Sequence, residues 1–270
     1  MSNIYVVDTS FTSDNKNPFS DDGLYRESWA MLKLTYDEKN KNVAGKDDRN
    51  LFSVFLSKCF DGWQFHLMDF LLYEIQCNRN IILSIEKEDY EKAQIEYHNH
   101  CNTDRELRPF EPKVLIHSTS ASSWNNIQKC GYLKSWNIAK KDGDITEQKP
   151  IGHLLGDPVD YSDYIMFGAM GNPWSEVVVA SKQRMNLCYD INHPYIPGAR
   201  IYFDSKKIAK DGLLVRDCLH LKVKDRLPLE PYMIWAATSE NIKHPEEGWT
   251  PLTFSKIADS TFLEQYSKYK

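Results

Sequence analysis

The chain has 270 residues, 41% of them hydrophobic and 13% aromatic, enough for one large domain or two small ones and too apolar to be disordered over most of its length. A formal net charge of -5 and a pI near 5.9 exclude a general electrostatic drive toward nucleic acid or anionic membrane and leave only local basic grooves open. No window approaches the roughly 18 apolar residues of a membrane span, and no secretory leader is readable after Met1. The six scattered cysteines, without a Cys-x-x-Cys pair, point to free thiols in a reducing cytoplasm.

In chain order, residues 4–7 read as a first strand and 11–22 as a loop rich in Ser, Asn and Asp. Residues 24–34 read as a short helix, and 37–48, dense in Lys, Asn and Asp, as an exposed loop. Over 50–77 the apolar positions Phe52, Phe55, Leu56, Cys59, Trp63, Leu67, Phe70, Leu71 and Ile75 recur at helical spacing, broken at Asp61-Gly62, which predicts core helices. Residues 81–85 read as a buried strand, 88–100 as a charged surface helix, and the organisation changes near 105–112.

Two features of this first part invite a metal and are set aside. Val6-Val7-Asp8-Thr9-Ser10 is similar to the start of PIN-type nucleases, where a strand-end Asp binds magnesium. That chemistry needs several converging carboxylates, and the sequence shows no partner motif for Asp8. His98, His100 and Cys101 lack the i, i+4 spacing of a helical metal face.

The stretch Val114-Leu115-Ile116-His117-Ser118-Thr119-Ser120, followed by Trp124, Ile127 and Gly131-Tyr132-Leu133, reads as a strand, a hydroxyl-rich turn, a short helix and a glycine stop. An imidazole and three hydroxyls add nothing to core burial, so a strand that delivers them to its exit points to a polar ligand there. The plainer alternative is a hydrogen-bonded strand-end histidine followed by helix-capping hydroxyls.

This stretch resembles the first motif of the ADP-ribosyltransferase superfamily: a strand ending in His, a small residue and Thr or Ser, then a helix with Trp and Ile, then Gly. The resemblance covers roughly residues 112–240. It implies that His117, Ser118 and Thr119 hold NAD through ribose or adenosine hydroxyls. In the second motif an aromatic residue stacks on nicotinamide, and Tyr164, in the 160–168 stretch, is the matching residue; Tyr202, in Arg200-Ile201-Tyr202-Phe203-Asp204, competes with it but stands farther along the chain. The third motif is a catalytic Glu before a late strand, matched by Glu230, with residues 232–235 as the strand. Pro231 departs from the family pattern, although proline is tolerated at a strand's first residue.

Glu176, in Asn172-Pro173-Trp174-Ser175-Glu176, has the logic of a helix start instead, and it is the alternative to Glu230 as catalytic carboxylate. Residues 200–204 and 219–223 read as further strands. Arg200, Arg216 and Lys222 are available as donors to a pyrophosphate.

The expected fold is α+β. Residues 1–108 form an N-terminal domain, α/β or mainly helical; residues 109–245 form an ADP-ribosyltransferase-like domain with a split antiparallel sheet; residues 246–270 form a C-terminal extension. The resemblance implies an NAD-consuming transferase or glycohydrolase in which Glu230 stabilises the oxocarbenium-like state and His117 orients the ribose. The acceptor is open: protein, nucleic acid, small molecule or water. Two other readings stand beside it, an RNA 2'-phosphotransferase, which needs further arginines around the phosphate, and an inactive domain of the same fold that binds without reacting.

Overall fold

In a computed structural model, residues 2–37, 42–100, 105–147 and 149–269 are described. The chain mixes helices and sheets in two units: residues 1–103 with 155–160 and 216–220, and residues 104–154 with 161–215 and 221–270. The first unit is therefore not the continuous stretch 1–108, because two later pieces of chain complete it.

The first unit contains β1 (Ile4–Val7), β2 (Trp29–Thr35), β3 (Val43–Lys46), β4 (Phe52–Ser57), α1 (Trp63–Gln76), β5 (Asn80–Ser84) and α2 (Lys87–Asn99). The sheet order is β1-β5-β2-β4-β3, parallel except for β3. Three predicted elements differ. Residues 24–34 hold no helix: Trp29 to Leu32 are buried in β2, which is hydrogen-bonded on both sides, and two-sided pairing overrides the helix propensity of Ala, Met and Leu. The first part of 50–77 is β4, in which Phe52, Val54 and Leu56 are buried and Phe55 faces out, so a period of two was masked by an outward aromatic. The helical part begins at the Asp61-Gly62 break, with Gly62 as N-cap of α1 at φ 72. Part of the expected 37–48 loop is β3, and its residues 38–41 lie outside the described residues.

The second unit is built on β6 (Val114–Thr119), α3 (Ala121–Cys130), β7 (Tyr132–Lys134), α4 (Trp136–Lys141), β8 (Tyr164–Ala169), α5 (Trp174–Arg184), β9 (Ala199–Asp204), α6 (Ser205–Lys210), β10 (Leu214–Arg216), β11 (Leu221–Lys224), β12 (Arg226–Pro228), β13 (Met233–Thr238) and α7 (Pro251–Gln265). Its main sheet has the order β10-β11-β8-β6-β9-β13, and β12 and β7 form a small second sheet. The pairs β11/β8, β8/β6, β6/β9 and β9/β13 are antiparallel.

Strand alternation sends Leu115, Phe167, Ile201 and Phe203 into one core with Trp124 of α3, and Val114, Ile116, Tyr202 and Ala237 into another. Phe254, Ala258 and Phe262 of α7 complete the second core. Residues 246–270 are thus no appendage, because the helix they carry shields one face of the sheet from water. The valines at 177–179 are helical, inside α5.

Candidate functional site

β6 is a central strand, and its two sides are treated differently. It pairs with β9 over all of Val114–Thr119, but among the described residues it pairs with β8 through Leu115 and Ile116 alone, opposite Ala169 and Gly168. Beyond Ile116 the ladder with β8 gives way to a side chain: His117 Nδ1 donates to the Met166 carbonyl at 3.1 Å. A carbonyl only accepts, so this bond fixes the tautomer and leaves Nε2 as the acceptor. Burial opposes the imidazolium, the Met166 bond favours it and the Lys182 charge disfavours it; burial prevails and the pKa falls to about 4. His117 is neutral at physiological pH and stands edge-on to Phe167, with ring centroids 6.2 Å apart.

Thr119 leads into Ser120, which caps α3 by accepting from Ser123 N at 3.2 Å, and Gly131 ends that helix at φ 76. The exit of β6 is pressed against the approach to β9. A Cβ on Gly198 would come within 2.0 Å of the Thr119 carbonyl, so only glycine fits there.

Ser118 faces the other way, into a buried polar cluster. Its hydroxyl donates to Glu176 Oε1 at 2.5 Å. Glu176 Oε2 accepts from Arg200 NH1 at 2.7 Å, and Arg200 holds Asp259 of α7 bidentately, Nε to Oδ1 at 2.8 Å and NH2 to Oδ2 at 3.0 Å. Asp259 also accepts from Tyr202 OH and from the Gly171 amide, each at 2.8 Å. Burial raises the pKa of Glu176 against the opposing pull of Arg200. Burial likewise disfavours the Arg200 cation, but Glu176 and Asp259 more than offset it, and its pKa is raised.

The expected site residues do not converge. Tyr202 is fully buried with its ring stacked on Phe262 at 4.3 Å, which corrects its assignment as a nicotinamide platform. Tyr164 opens β8 two residues before Met166 and shares its parity, so it projects from the face opposite Phe167 and His117. Its ring faces Lys222 Nζ, 4.6 Å from the centroid and 3.8 Å from that of Tyr161. Glu230 is exposed, in the turn that closes with Met233 N on Leu229 O at 2.7 Å.

Register sets Glu230 apart from His117. Met233 lies opposite Phe203 and Phe203 opposite Leu115; from that row, Glu230 precedes Met233 while His117 follows Leu115 on the far side of it. Two strand spacings of about 4.8 Å also separate β13 from β6. The carboxylate that does touch the motif is Glu176. Arg200, whose three nitrogens are all committed to protein acceptors, is not available to a pyrophosphate. Arg216 ends β10 and belongs with the first unit.

Asp259 is the residue that sequence reading missed. It lies beside Phe254, Ser255, Ala258 and Phe262 on the buried stripe of α7, and a carboxylate on such a stripe demands a buried cation. In the first unit, Asp8 is exposed, with Oδ1 accepting from the amide and hydroxyl of Ser10, and His100 bonds back to the Glu96 carbonyl at 2.9 Å. Cys101 lies outside the described residues. Among the described residues no group of three or more His, Cys, Asp or Glu is placed to hold a metal, and no helix is long and apolar enough to cross a membrane. Comparison with protein-family models, with curated proteins and with solved structures finds no match to this chain.

Proposed function

We propose that the second unit is an ADP-ribosyltransferase-like domain that binds NAD where β6 and β8 part, and that it binds without cleaving it. The observation that carries this reading is the parting itself: the ladder stops after Ile116 and Gly168, and the next residue, His117, replaces it with a neutral imidazole of fixed tautomer. A short β6/β8 ladder with the His-x-Thr motif at its end supports the split sheet that the resemblance implies. His117 Nε2 accepts from a ribose hydroxyl, and Thr119 adds a hydroxyl of its own. Cleavage requires a carboxylate beside the ribose, and Glu230 is kept away by the register of β13.

One observation favours a second reading, an NAD-cleaving enzyme. Glu176 is hydrogen-bonded to the motif's own Ser118, and a shift of that pair toward His117 would supply the missing carboxylate.

Calorimetry of the full chain with NAD, alongside a nicotinamide-release assay, tests both readings. Binding without release is expected, with binding weakened by His117→Ala and unaffected by Glu230→Gln. At NAD concentrations 100 times Kd, the native state gains about 2.7 kcal/mol. Absence of both heat and thermal stabilisation sinks the proposal. Nicotinamide release that Glu176→Gln abolishes and Glu230→Gln leaves intact replaces it with the enzyme.

A further inference from the structure

The helix α7 lines a cavity that nothing above uses. Leu252, Lys256 and Ser260 form one row along it at a spacing of four, and Ser255, Asp259 and Leu263 form the row beside it. Both rows face a cavity of about 330 Å³ whose other wall is the Met170-Gly171 turn after β8. That volume falls within the range of small-molecule pockets, about 300–1,000 Å³. All of the lining belongs to the second unit.

The hydrogen bonds decide which of these groups a ligand can use. Asp259 is closed to one. Its Oδ1 accepts from Arg200 Nε and Tyr202 OH, and its Oδ2 accepts from Arg200 NH2 and the Gly171 amide. The about four lone-pair sites of a carboxylate are thereby taken, and a bidentate guanidinium lies against its charge. The Ser255 hydroxyl donates to the Leu252 carbonyl at 3.1 Å. Lys256 and Ser260 remain. Both are exposed, and neither has a hydrogen-bond or ion-pair partner among the described residues. They stand one turn apart in the same row and offer an ammonium and a hydroxyl to an acceptor.

The remaining lining is apolar and aliphatic: Leu252, Leu263 and Met170. No ring lines the cavity to stack on an aromatic body, and one ammonium answers one negative charge. We infer that this cavity binds a free aliphatic monocarboxylate, its carboxylate on Lys256 and Ser260 and its chain against Leu252, Leu263 and Met170. The chain supplies the apolar burial, and the head supplies the preference for an anion. Ser118 points to the side of the sheet where Glu176, Arg200 and Asp259 lie, and His117, its neighbour in β6, points to the other. A ligand on α7 and one held by His117 therefore occupy opposite faces, and the two proposals stand or fall separately.

Methyl NMR of the full chain, carbon-13 labelled at the methionine methyls, tests this. The Met170 signal is identified by its loss in Met170→Leu. Octanoate is titrated at pH 7, with 1-octanol as the uncharged chain of equal length. Octanoate should move the Met170 methyl saturably. The dissociation constant should be about tenfold higher for 1-octanol, and about tenfold higher for octanoate with Lys256→Gln. Lys256 is exposed, so Lys256→Gln should leave the other methionine methyls where they are. A Met170 methyl that millimolar octanoate does not move overturns the site. Octanoate that binds equally well to the natural chain and to Lys256→Gln, or 1-octanol that binds as tightly as octanoate, overturns the recognition of an anion and the proposal with it.

Discussion

Arg200 is fully buried and joins Glu176 of α5 to Asp259 of α7, so its removal strands two carboxylates in the interior. Arg200→Met should cost about 3–5 kcal/mol in urea unfolding, the scale of a broken buried ion pair. Glu176→Gln should cost less, because Arg200 keeps Asp259 and the amide can still accept from Ser118. A larger loss from Glu176→Gln than from Arg200→Met would show that the cluster is not organised around the guanidinium. Neither pairing was legible beforehand. A helix start explains an Asn-Pro-x-x-Glu sequence, and only the fold shows that Glu176 points inward; Arg200 looked like a ligand donor because a strand arginine rarely finds two carboxylates from distant helices. His117 was legible as a hydrogen-bonded strand-end histidine, since an imidazole at the exit of an apolar strand has little reason to be there except polar contact.

At the scale of elements, the exit of β6 depends on two small devices. Ser120→Ala removes the cap on α3 and should lower stability by about 1 kcal/mol. Gly198→Ala drives a Cβ into the Thr119 carbonyl, backbone against backbone, so it should cost more than the cap and also weaken NAD binding by displacing Thr119. Equal, small effects in unfolding and calorimetry would mean that the β9 approach yields easily. The longer strands β6, β8, β9, β11 and β13 were readable from apolar runs such as Val114 to Ile116, whereas the three-residue strands β7, β10 and β12 are too short to show a period. The first unit was misread where local signals conflict: β2 is written in good helix formers, and β4 carries an outward Phe55 that fills a helical period. Pairing on both sides settles the first case, and register in a parallel sheet the second.

For the whole molecule, two groups tilt stability in opposite directions. The unfolded chain takes up a proton at His117 as pH falls below 6.5, which the folded chain refuses until about 4, so stability drops on acidification through that window. Glu74, on α1, works the other way: burial raises its pKa from 4.5 to about 7, so the folded chain keeps a proton that the unfolded chain releases. Between about 4.5 and 6.5 the two slopes oppose each other, and His117→Gln should unmask the Glu74 slope in circular-dichroism melts across that range. A flat profile in His117→Gln would show that Glu74 titrates normally. No local pattern in the sequence could reveal how the chain is shared between the units, because membership of 155–160 and 216–220 is decided by partners far along the chain, Asp160 by Arg79 and the Cys218 carbonyl by His66.

That sharing has a consequence for the order of events during synthesis. Residues 1–103 leave the ribosome ahead of 155–160 and 216–220, yet Arg79 must wait for Asp160, and His66 for Cys218. The first unit therefore cannot close while it is the only part made; it holds unfinished polar seats until more than half of the second unit's chain has also emerged. A fragment ending at residue 108 would carry those vacancies permanently, and a chaperone that recognises nascent chains would meet the two units as a single client maturing late rather than as two in succession.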